Sequence, residues 1–172
     1  SGTYYIDNAA TSRGPTLLAS QTLFGNGRDS VLVLSNNDSW IKIEQSNVQI
    51  KDLKINVADA NMPVGIYAGV SASATPPENI SFENIFFNSG LTRILLGNCS
   101  GIMVNNCTFD NTGYCVLQLA GTISNNVLVT NCYATNIKND FVEANCTGLD
   151  VGFTAASGQT TYSLTVNDSG NS

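Results

Sequence analysis

One pattern of apolar and polar positions recurs along the chain. Clear copies cover residues 47–55, 79–87, 101–109 and 126–134, and a weaker fifth copy begins at residue 148. Successive copies are 32, 22, 25 and 22 residues apart. Self-similarity at a few tens of residues is typical of repeat architectures, in which each unit buries its apolar face against its neighbours. The pattern therefore predicts a solenoid.

Two apolar columns in these copies indicate a β-strand. The first column contains Val48, Ile80, Ile102, Val127 and Leu149. The second column, two residues later, contains Ile50, Phe82, Val104, Val129 and Val151. Alternation at period two is what a strand with one buried face requires. Each unit is predicted to begin with a strand whose column residues stack inside.

A third apolar column comes one residue late and predicts a bend. It contains Leu53, Ile85, Cys107 and Cys132, each three residues after the second column. The position just before it is polar and holds Asp52, Asn84, Asn106 and Asn131. Asn tolerates left-handed backbone angles, and its side chain can bond to nearby backbone. We expect Asn84, Asn106 and Asn131 to form a ladder, with their amides bonded along the solenoid axis.

Together these features predict an all-β fold, a right-handed parallel β-helix of about seven turns of 22–25 residues. A second apolar run follows each bend, at 66–70, 94–96, 115–119 and 141–144, and no helical pattern appears. Leucine-rich repeats fit poorly because no Leu-x-x-Leu-x-Leu run is present. We expect one domain over 1–172, with initial turns at 1–39, regular turns at 40–155 and a last turn or tail at 156–172. It is expected to be a fragment of a longer chain.

The succession of segments at 25–32, 41–43 and 47–55 resembles the opening turns of pectate-lyase-like β-helix proteins. That superfamily includes bacteriophage tailspikes, and the resemblance covers roughly residues 20–155. It implies a polysaccharide ligand and a side-by-side homotrimer. The chain lacks the His and Arg-x-Lys signatures of polygalacturonase-like members and the Asp residues that hold calcium in pectate lyases. Plant cell-wall activities are therefore not expected.

Composition restricts the partners. Charged residues make up only 12% of the chain, His is absent and 22 residues are Asn. A net charge of −6 and a pI near 4.3 argue against nucleic acid, because phosphate binding needs clustered Lys and Arg. No run of 18 or more apolar residues suggests membrane insertion. No signal peptide is visible and the first residue is Ser, so we expect a processed or excised piece.

The five cysteines predict neither a metal site nor any other cofactor. No CxxC pair occurs and there is no His to complete a ligand set. Most are expected to be small buried hydrophobic residues. Cys107 and Cys132 share an inward column, so a disulfide between adjacent turns is conceivable. The odd count instead favours folding in a reducing cytoplasm, which fits a virion protein, and we expect a location in the virion tail or outside the cell.

Candidate catalytic residues must be carboxylates, because no His is available as a general base. Polysaccharide hydrolysis uses two carboxyl groups about 5–10 Å apart. Asp140 and Glu143 suit that spacing, and Asp110, one bend away on an earlier turn, could assist. Solvated surface charge is the alternative interpretation of all three residues.

Exposed aromatic residues are the candidate sugar contacts. Phe86 and Tyr133 are expected to face outward in one column, flanked by Asn and Thr, and Trp40 and Tyr67 lie near the long loops. An apolar ring beside amide donors and acceptors suits a sugar ring. The same aromatics could instead be subunit contacts of a trimer.

Three classes of function remain open. The first is the polysaccharide-recognition domain of a phage tailspike or fibre, which binds bacterial surface polysaccharide with or without depolymerising it. The second is a free-standing polysaccharide lyase or glycoside hydrolase, for which a signal peptide and a dense carboxylate or Arg cluster would be expected. The third is a structural adhesin-type solenoid, for which uniform turns would be expected, whereas the insertion at 57–77 breaks uniformity. The sequence favours the first class.

Overall fold

The chain folds into a parallel β-solenoid that contains almost no helix. The computed structural model describes residues 2–6, 15–35, 40–57, 64–70, 74–88, 92–110, 117–135, 142–155 and 164–166. A 3₁₀ helix covers Gly27–Asp29. The strands are β1 Gly2–Ile6, β2 Thr16–Leu17, β3 Thr22–Phe24, β4 Ser30–Leu34, β5 Ile41–Ile43, β6 Gln49–Val57, β7 Val64–Ala68, β8 Glu78–Asn88, β9 Thr92–Leu96, β10 Cys99–Asn105, β11 Thr108–Asp110, β12 Leu117–Thr135, β13 Val142–Ala155 and β14 Leu164–Val166.

The strands form two parallel stacks that run along the solenoid. The bend stack contains β3 and β4, then β6, β8, β10 with β11, β12 and β13, and β1 pairs with β4 at its edge. The second stack contains β2, β5, β7, β9, β12, β13 and β14. Strands β12 and β13 are long enough to belong to both stacks. The prediction of an all-β solenoid of parallel strands is confirmed.

Strand register confirms the inward columns. Ile80 pairs with Ile102, which pairs with Val127, and the side chains of all three are 1% exposed. Phe82, Val104 and Val129 form the second column in the same way. Each strand therefore buries alternate side chains against the strands above and below it, as the period-two pattern requires.

Each predicted bend contains one residue with left-handed backbone angles. The φ angles are 56° at Asp52, 52° at Asn84, 53° at Asn106 and 54° at Asn131. Asn and Asp adopt this region more readily than other non-glycine residues. The residue types at these positions thus explain why each strand can turn without losing its inward register.

These four bends define about four turns, so the prediction of about seven turns is wrong. The estimate assumed that the unit extends along the whole chain. In β12 two residues separate Val129 from Cys132, whereas in β13 only Gly152 separates their partners Val151 and Phe153. The later strand therefore lacks the extra residue that makes the bend.

A second series of left-handed residues marks the corner that precedes the first inward column. It comprises Ser20, Asn47, Asn79 and Gly101, with φ angles between 57° and 62°. The Asn79 Nδ2 donates to Asn47 Oδ1 at 3.3 Å. A Cβ atom at Gly101 would lie 3.2 Å from Asn79 Oδ1, so glycine suits both the angle and the space.

The predicted ladder of Asn84, Asn106 and Asn131 is only partly present. Asn84 Nδ2 donates to Asp52 Oδ1 at 2.8 Å along the axis. Asn131 Nδ2 instead donates to Asn105 Oδ1 at 3.0 Å, and the Asn106 side chain bonds to no described residue. All three ladder residues are exposed at the outer side of the bend. Water can satisfy their amides there, so burial does not force them to pair.

The core of the described residues is continuous and includes three cysteines. Cys99, Cys107 and Cys132 are each 1% exposed and none is in a disulfide, so the conceivable disulfide between Cys107 and Cys132 is absent. Burial raises the pKa of the Cys107 thiol well above its ordinary value. Cys132 lies beside it, and both thiols also contact backbone carbonyls at 3.3 to 3.6 Å. These cysteines act as small core residues, as predicted.

We expect the substitution Asn106→Leu to lower the free energy of unfolding by about 1–2 kcal/mol, because a leucine at a left-handed φ is strained. Asn106→Gly is the matched control and should leave stability almost unchanged, since glycine adopts this angle freely. Thermal unfolding of both variants measures the difference. Equal melting temperatures for the Leu and Gly variants would contradict the strain argument.

We also expect Cys107 and Cys132 to resist iodoacetamide in the native protein, because both side chains are buried away from the reagent and burial also raises the pKa of the Cys107 thiol. Peptide mass spectrometry after labelling would report each residue separately. In urea both should be alkylated fully. Rapid labelling of either residue without denaturant would show that the core opens at these turns.

Candidate functional site

An outward row of side chains follows the bends and forms the candidate site. Lys54 pairs with Phe86, Phe86 with Thr108, and Thr108 with Tyr133. Lys54, Phe86 and Thr108 each lie between two buried positions of their strands. Tyr133 follows the buried Cys132 and is itself exposed, so the whole row faces away from the core. Neighbouring strands are about 4.8 Å apart, which makes the row a continuous strip across four turns.

The two aromatic residues of this row have different environments. Tyr133 is 40% exposed. Phe86 is half-buried, because the Arg28 guanidinium carbon lies 4.3 Å from the centre of its ring and the Lys54 Nζ lies 5.3 Å from it. Phe86, which was expected to face outward, does so but is partly covered. It is an aromatic ring with two cations beside it, and such contacts contribute about 0.5–1 kcal/mol each at exposed sites.

Arg28 reaches Phe86 because the first bend contains an insertion. Phe24 pairs with Lys51 and Val31 pairs with Lys54, so six residues on the first turn lie opposite two on the next. The additional residues form the 3₁₀ helix, which contacts β6 and β8. A Cβ atom at Gly25 would lie 2.6 Å from the Asp52 carbonyl oxygen, so this close approach requires glycine.

The insertion and the outward row enclose a small open pocket of about 90 Å³. Its lining consists of Gly27, Arg28, Asn84, Ile85, Phe86, Asn106 and Thr108. Among the described residues that line the pocket, Arg28 is the one charged residue and none is a carboxylate. Two amides, one hydroxyl group and one aromatic ring complete the surface. The pocket thus offers hydrogen-bond donors and a single positive charge.

The strand surface before the bend is mixed in character. Lys51, Glu83, Asn105 and Thr130 form one outward column in register. In the neighbouring column Met103 and Leu128 are paired and are 36% and 40% exposed. A polar column and an apolar column thus lie side by side next to the outward row. Protein surfaces that bind a partner commonly combine polar and apolar groups in this way.

Trp40 and Tyr67 form a separate aromatic pair next to the second stack. Their ring centres are 6.2 Å apart and the rings are tilted by 31°. Burial, followed by the nearby Cys99 and Glu44, raises the pKa of the Tyr67 hydroxyl above its ordinary value. The Trp40 Nε1 is buried and has no hydrogen-bond partner among the described residues. The structure therefore does not bring these two aromatics into the row that contains Phe86 and Tyr133.

The three candidate carboxylates are not brought together within the described residues. Asp110 ends β11 and is paired with Asn88 and Thr135 in the bend stack. Glu143 lies in the second stack, where it pairs with Gln118. Asp140 lies outside the described residues, so a pair of Asp140 and Glu143 remains a prediction.

The position of Glu143 links it to one of the candidate aromatics. Tyr67 pairs with Leu95, Leu95 with Gln118, and Gln118 with Glu143. Glu143 thus continues the column of Tyr67, two strands beyond Leu95. A ligand that extended along the second stack would contact both positions.

Arg28 is the site residue that sequence reasoning missed. The signal was the 25–27 stretch of Gly, Asn and Gly at the place where later turns have a single Asp or Asn. Such residues mark a turn, but they do not indicate where an inserted segment folds. Whether Arg28 contacts Phe86 depends on the direction in which the inserted segment folds along the solenoid axis.

A larger open pocket of about 320 Å³ lies near the first turn. It is lined by Tyr4, Leu23, Phe24, Gly25, Ser30, Val31, Leu32 and Leu53. Tyr4 and Phe24 are 64% and 69% exposed. This lining is mainly apolar and contains no charged side chain, so it offers fewer hydrogen-bonding groups than the pocket beside Arg28.

In the described part of the chain, no group of three or more His, Cys, Asp or Glu residues could hold a metal ion. The same residues contain no helix with the length and hydropathy of a membrane span.

Comparison with known proteins identifies no relative from which a function could be inferred. No protein-family model matches the chain, and searches of curated proteins and of solved structures return no match.

Proposed function

We propose that this β-solenoid is a polysaccharide-recognition domain of the bacteriophage tailspike or tail-fibre type within the pectate-lyase-like superfamily. In this proposal it binds bacterial surface polysaccharide, with or without cleaving it. The observation that carries the proposal is the outward row, in which Tyr133 and Phe86 stand in register on either side of Thr108. Rings with flanking amides and hydroxyls match the apolar faces and polar edges of sugars.

A rigid strip of side chains also suits a repetitive ligand. Parallel pairing fixes the spacing of the outward row, so little side-chain or loop ordering is required when an extended polysaccharide binds. Amides at the bends, including Asn84 and Asn131, lie beside this strip and add donors and acceptors. Together these groups support binding along the solenoid rather than in a deep cavity.

If the glycan is cleaved, Asp110, Asp140 and Glu143 are the candidate carboxylates. Tyr67, with Trp40 beside it, would be an additional sugar contact near Glu143, since Tyr67 and Glu143 share one column. The column supports a catalytic site on the second stack that is separate from the outward row. Hydrolysis and elimination are distinguished by the products that form.

In the proposed assembly the domain is a homotrimer in the virion tail, folded in a reducing cytoplasm. Cys99, Cys107 and Cys132 form no disulfide, which is compatible with folding in that compartment. The exposed Met103 and Leu128 are candidate subunit contacts. A trimer that buried these side chains would leave the outward row after the bend available to a glycan.

Binding to a panel of bacterial capsular and O-antigen polysaccharides tests the proposal. Tyr133→Ala should lower the affinity for the best-binding glycan roughly tenfold, about 1.4 kcal/mol, because an exposed ring contact is lost. Tyr5→Ala is the control, since Tyr5 is 72% exposed at the β1 edge, outside the row. Analytical ultracentrifugation should show the same oligomer for both variants. Absence of binding to every member of the panel would reject the proposal.

Cleavage is tested with the same panel by assays for new reducing ends and unsaturated uronates. If either product forms, Glu143→Gln should abolish it while thermal stability stays nearly unchanged, because the substitution keeps the size of the side chain and removes only its charge. Glu78→Gln, at an exposed strand end of the bend stack, is the matched control. Full product formation by the Glu143 variant would remove this residue from the mechanism.

A further inference from the structure

The pocket beside Arg28 has a charge pattern that the proposed recognition of sugar rings leaves unexplained. The chain carries a net charge of −6 and only seven Lys and Arg residues, yet Arg28 and Lys54 both lie against one ring. Neither cation forms an ion pair with any residue in the described ranges, where Lys42 and Glu44 form the one salt bridge. Two cations without an ion pair among the described residues, in a chain of net charge −6, indicate a place for a negative charge.

We infer that this pocket binds an anionic substituent of the polysaccharide, a carboxylate or a phosphate, between the Arg28 guanidinium and the amides of Asn84 and Asn106. The inference deepens the proposed function and rests on it, because the anion is taken to be part of the glycan. It assigns an acidic polysaccharide as the ligand class. The uncharged part of the polysaccharide would continue along the outward row from Thr108 to Tyr133.

The geometry of Arg28 suits an anion. The Arg28 guanidinium carbon lies over the Phe86 ring, 4.3 Å from its centre, and the guanidinium carries five N–H donors in a planar fork. Those donors can form a bidentate pair with a carboxylate or a phosphate, which adds orientation as well as affinity. Phe86 therefore supports Arg28 in addition to being part of the outward row.

The remaining groups in the lining complete the subsite. Asn84 donates one N–H to Asp52, which leaves its second N–H for a ligand. The Asn106 side chain makes no hydrogen bond to a described residue and can donate, as can the Thr108 hydroxyl. The neighbouring carboxylates Asp52 and Glu83 are outside the lining, and each accepts a hydrogen bond from an amide.

The pocket is also of a suitable size for one substituent. About 90 Å³ holds a few water molecules or one small charged group, and it is too small to enclose a sugar ring. The row beyond it is open, with Tyr133 40% exposed. A glycan would thus place one charged substituent in the pocket while its rings remain on the outward row.

The first test uses small ligands, so that it does not depend on knowing the natural glycan. Sodium glucuronate and inorganic phosphate should each raise the melting temperature at millimolar concentration, while glucose with sodium chloride at equal ionic strength should not. Arg28→Gln should remove the shift. Equal shifts in the wild type and in the Arg28 variant would overturn the subsite. The larger of the two shifts indicates whether the pocket favours carboxylate or phosphate.

The second test uses the polysaccharide that binds best in the panel. Arg28→Gln should lower the affinity for this polysaccharide roughly tenfold, about 1.4 kcal/mol, because a charge-assisted pair is lost. Arg28→Lys should recover part of that loss, since it keeps the charge but not the fork. Lys51→Gln is the control and should change affinity by less than about twofold, because it removes a half-buried surface charge outside the pocket.

Chemical reduction of the carboxyl groups, or enzymatic removal of phosphate, should weaken wild-type binding as much as Arg28→Gln does. Once the anionic group has been removed, the substitution should have no additional effect. A neutral polysaccharide that binds best and is insensitive to Arg28→Gln would overturn this inference while leaving the proposed function intact. If the panel shows no binding at all, the proposed function itself fails.

Discussion

The left-handed residue at each bend is the constraint on which the rest of this solenoid depends. Side chains of an extended strand alternate between two faces, so a strand that turns a corner without an additional residue would send its next apolar residue outward. One residue at φ near +55° corrects the alternation at Asp52, Asn84, Asn106 and Asn131. Val104 and Cys107 are thereby both buried on the two sides of one bend. The inward columns and the outward row both follow from this correction.

The sequence predicts this part of the fold well because a solenoid repeats the same local pattern of residues in every turn. The apolar columns and the one-residue slip are visible in four copies, and the structure confirms their register. The number of turns could not be predicted in the same way. It depends on which strands keep the extra residue at the bend, and β13 has only Gly152 between Val151 and Phe153.

The candidate site is less predictable because it depends on contacts between side chains that are distant in sequence. Phe86 and Tyr133 were placed in one column by pattern alone, and strand pairing confirms that placement. Arg28 could not be found from the pattern, since its position is set by a 3₁₀ helix and not by strand register. The exposed amides illustrate the same limit. Asn131 bonds to Asn105 rather than to Asn106, and nothing in the residue types distinguishes these partners.

The insertion at the first bend shows where this architecture tolerates change in chain length. A residue added inside β6 or β8 would shift every later side chain of that strand relative to the two adjacent strands. The residues added at 25–30 cause no such shift, because the strand pairs before and after the insertion remain in place. Corners are therefore the positions at which new loops can be acquired without rebuilding the interior. Ligand preference in such a protein can diversify corner by corner, while the stacked interior stays the same.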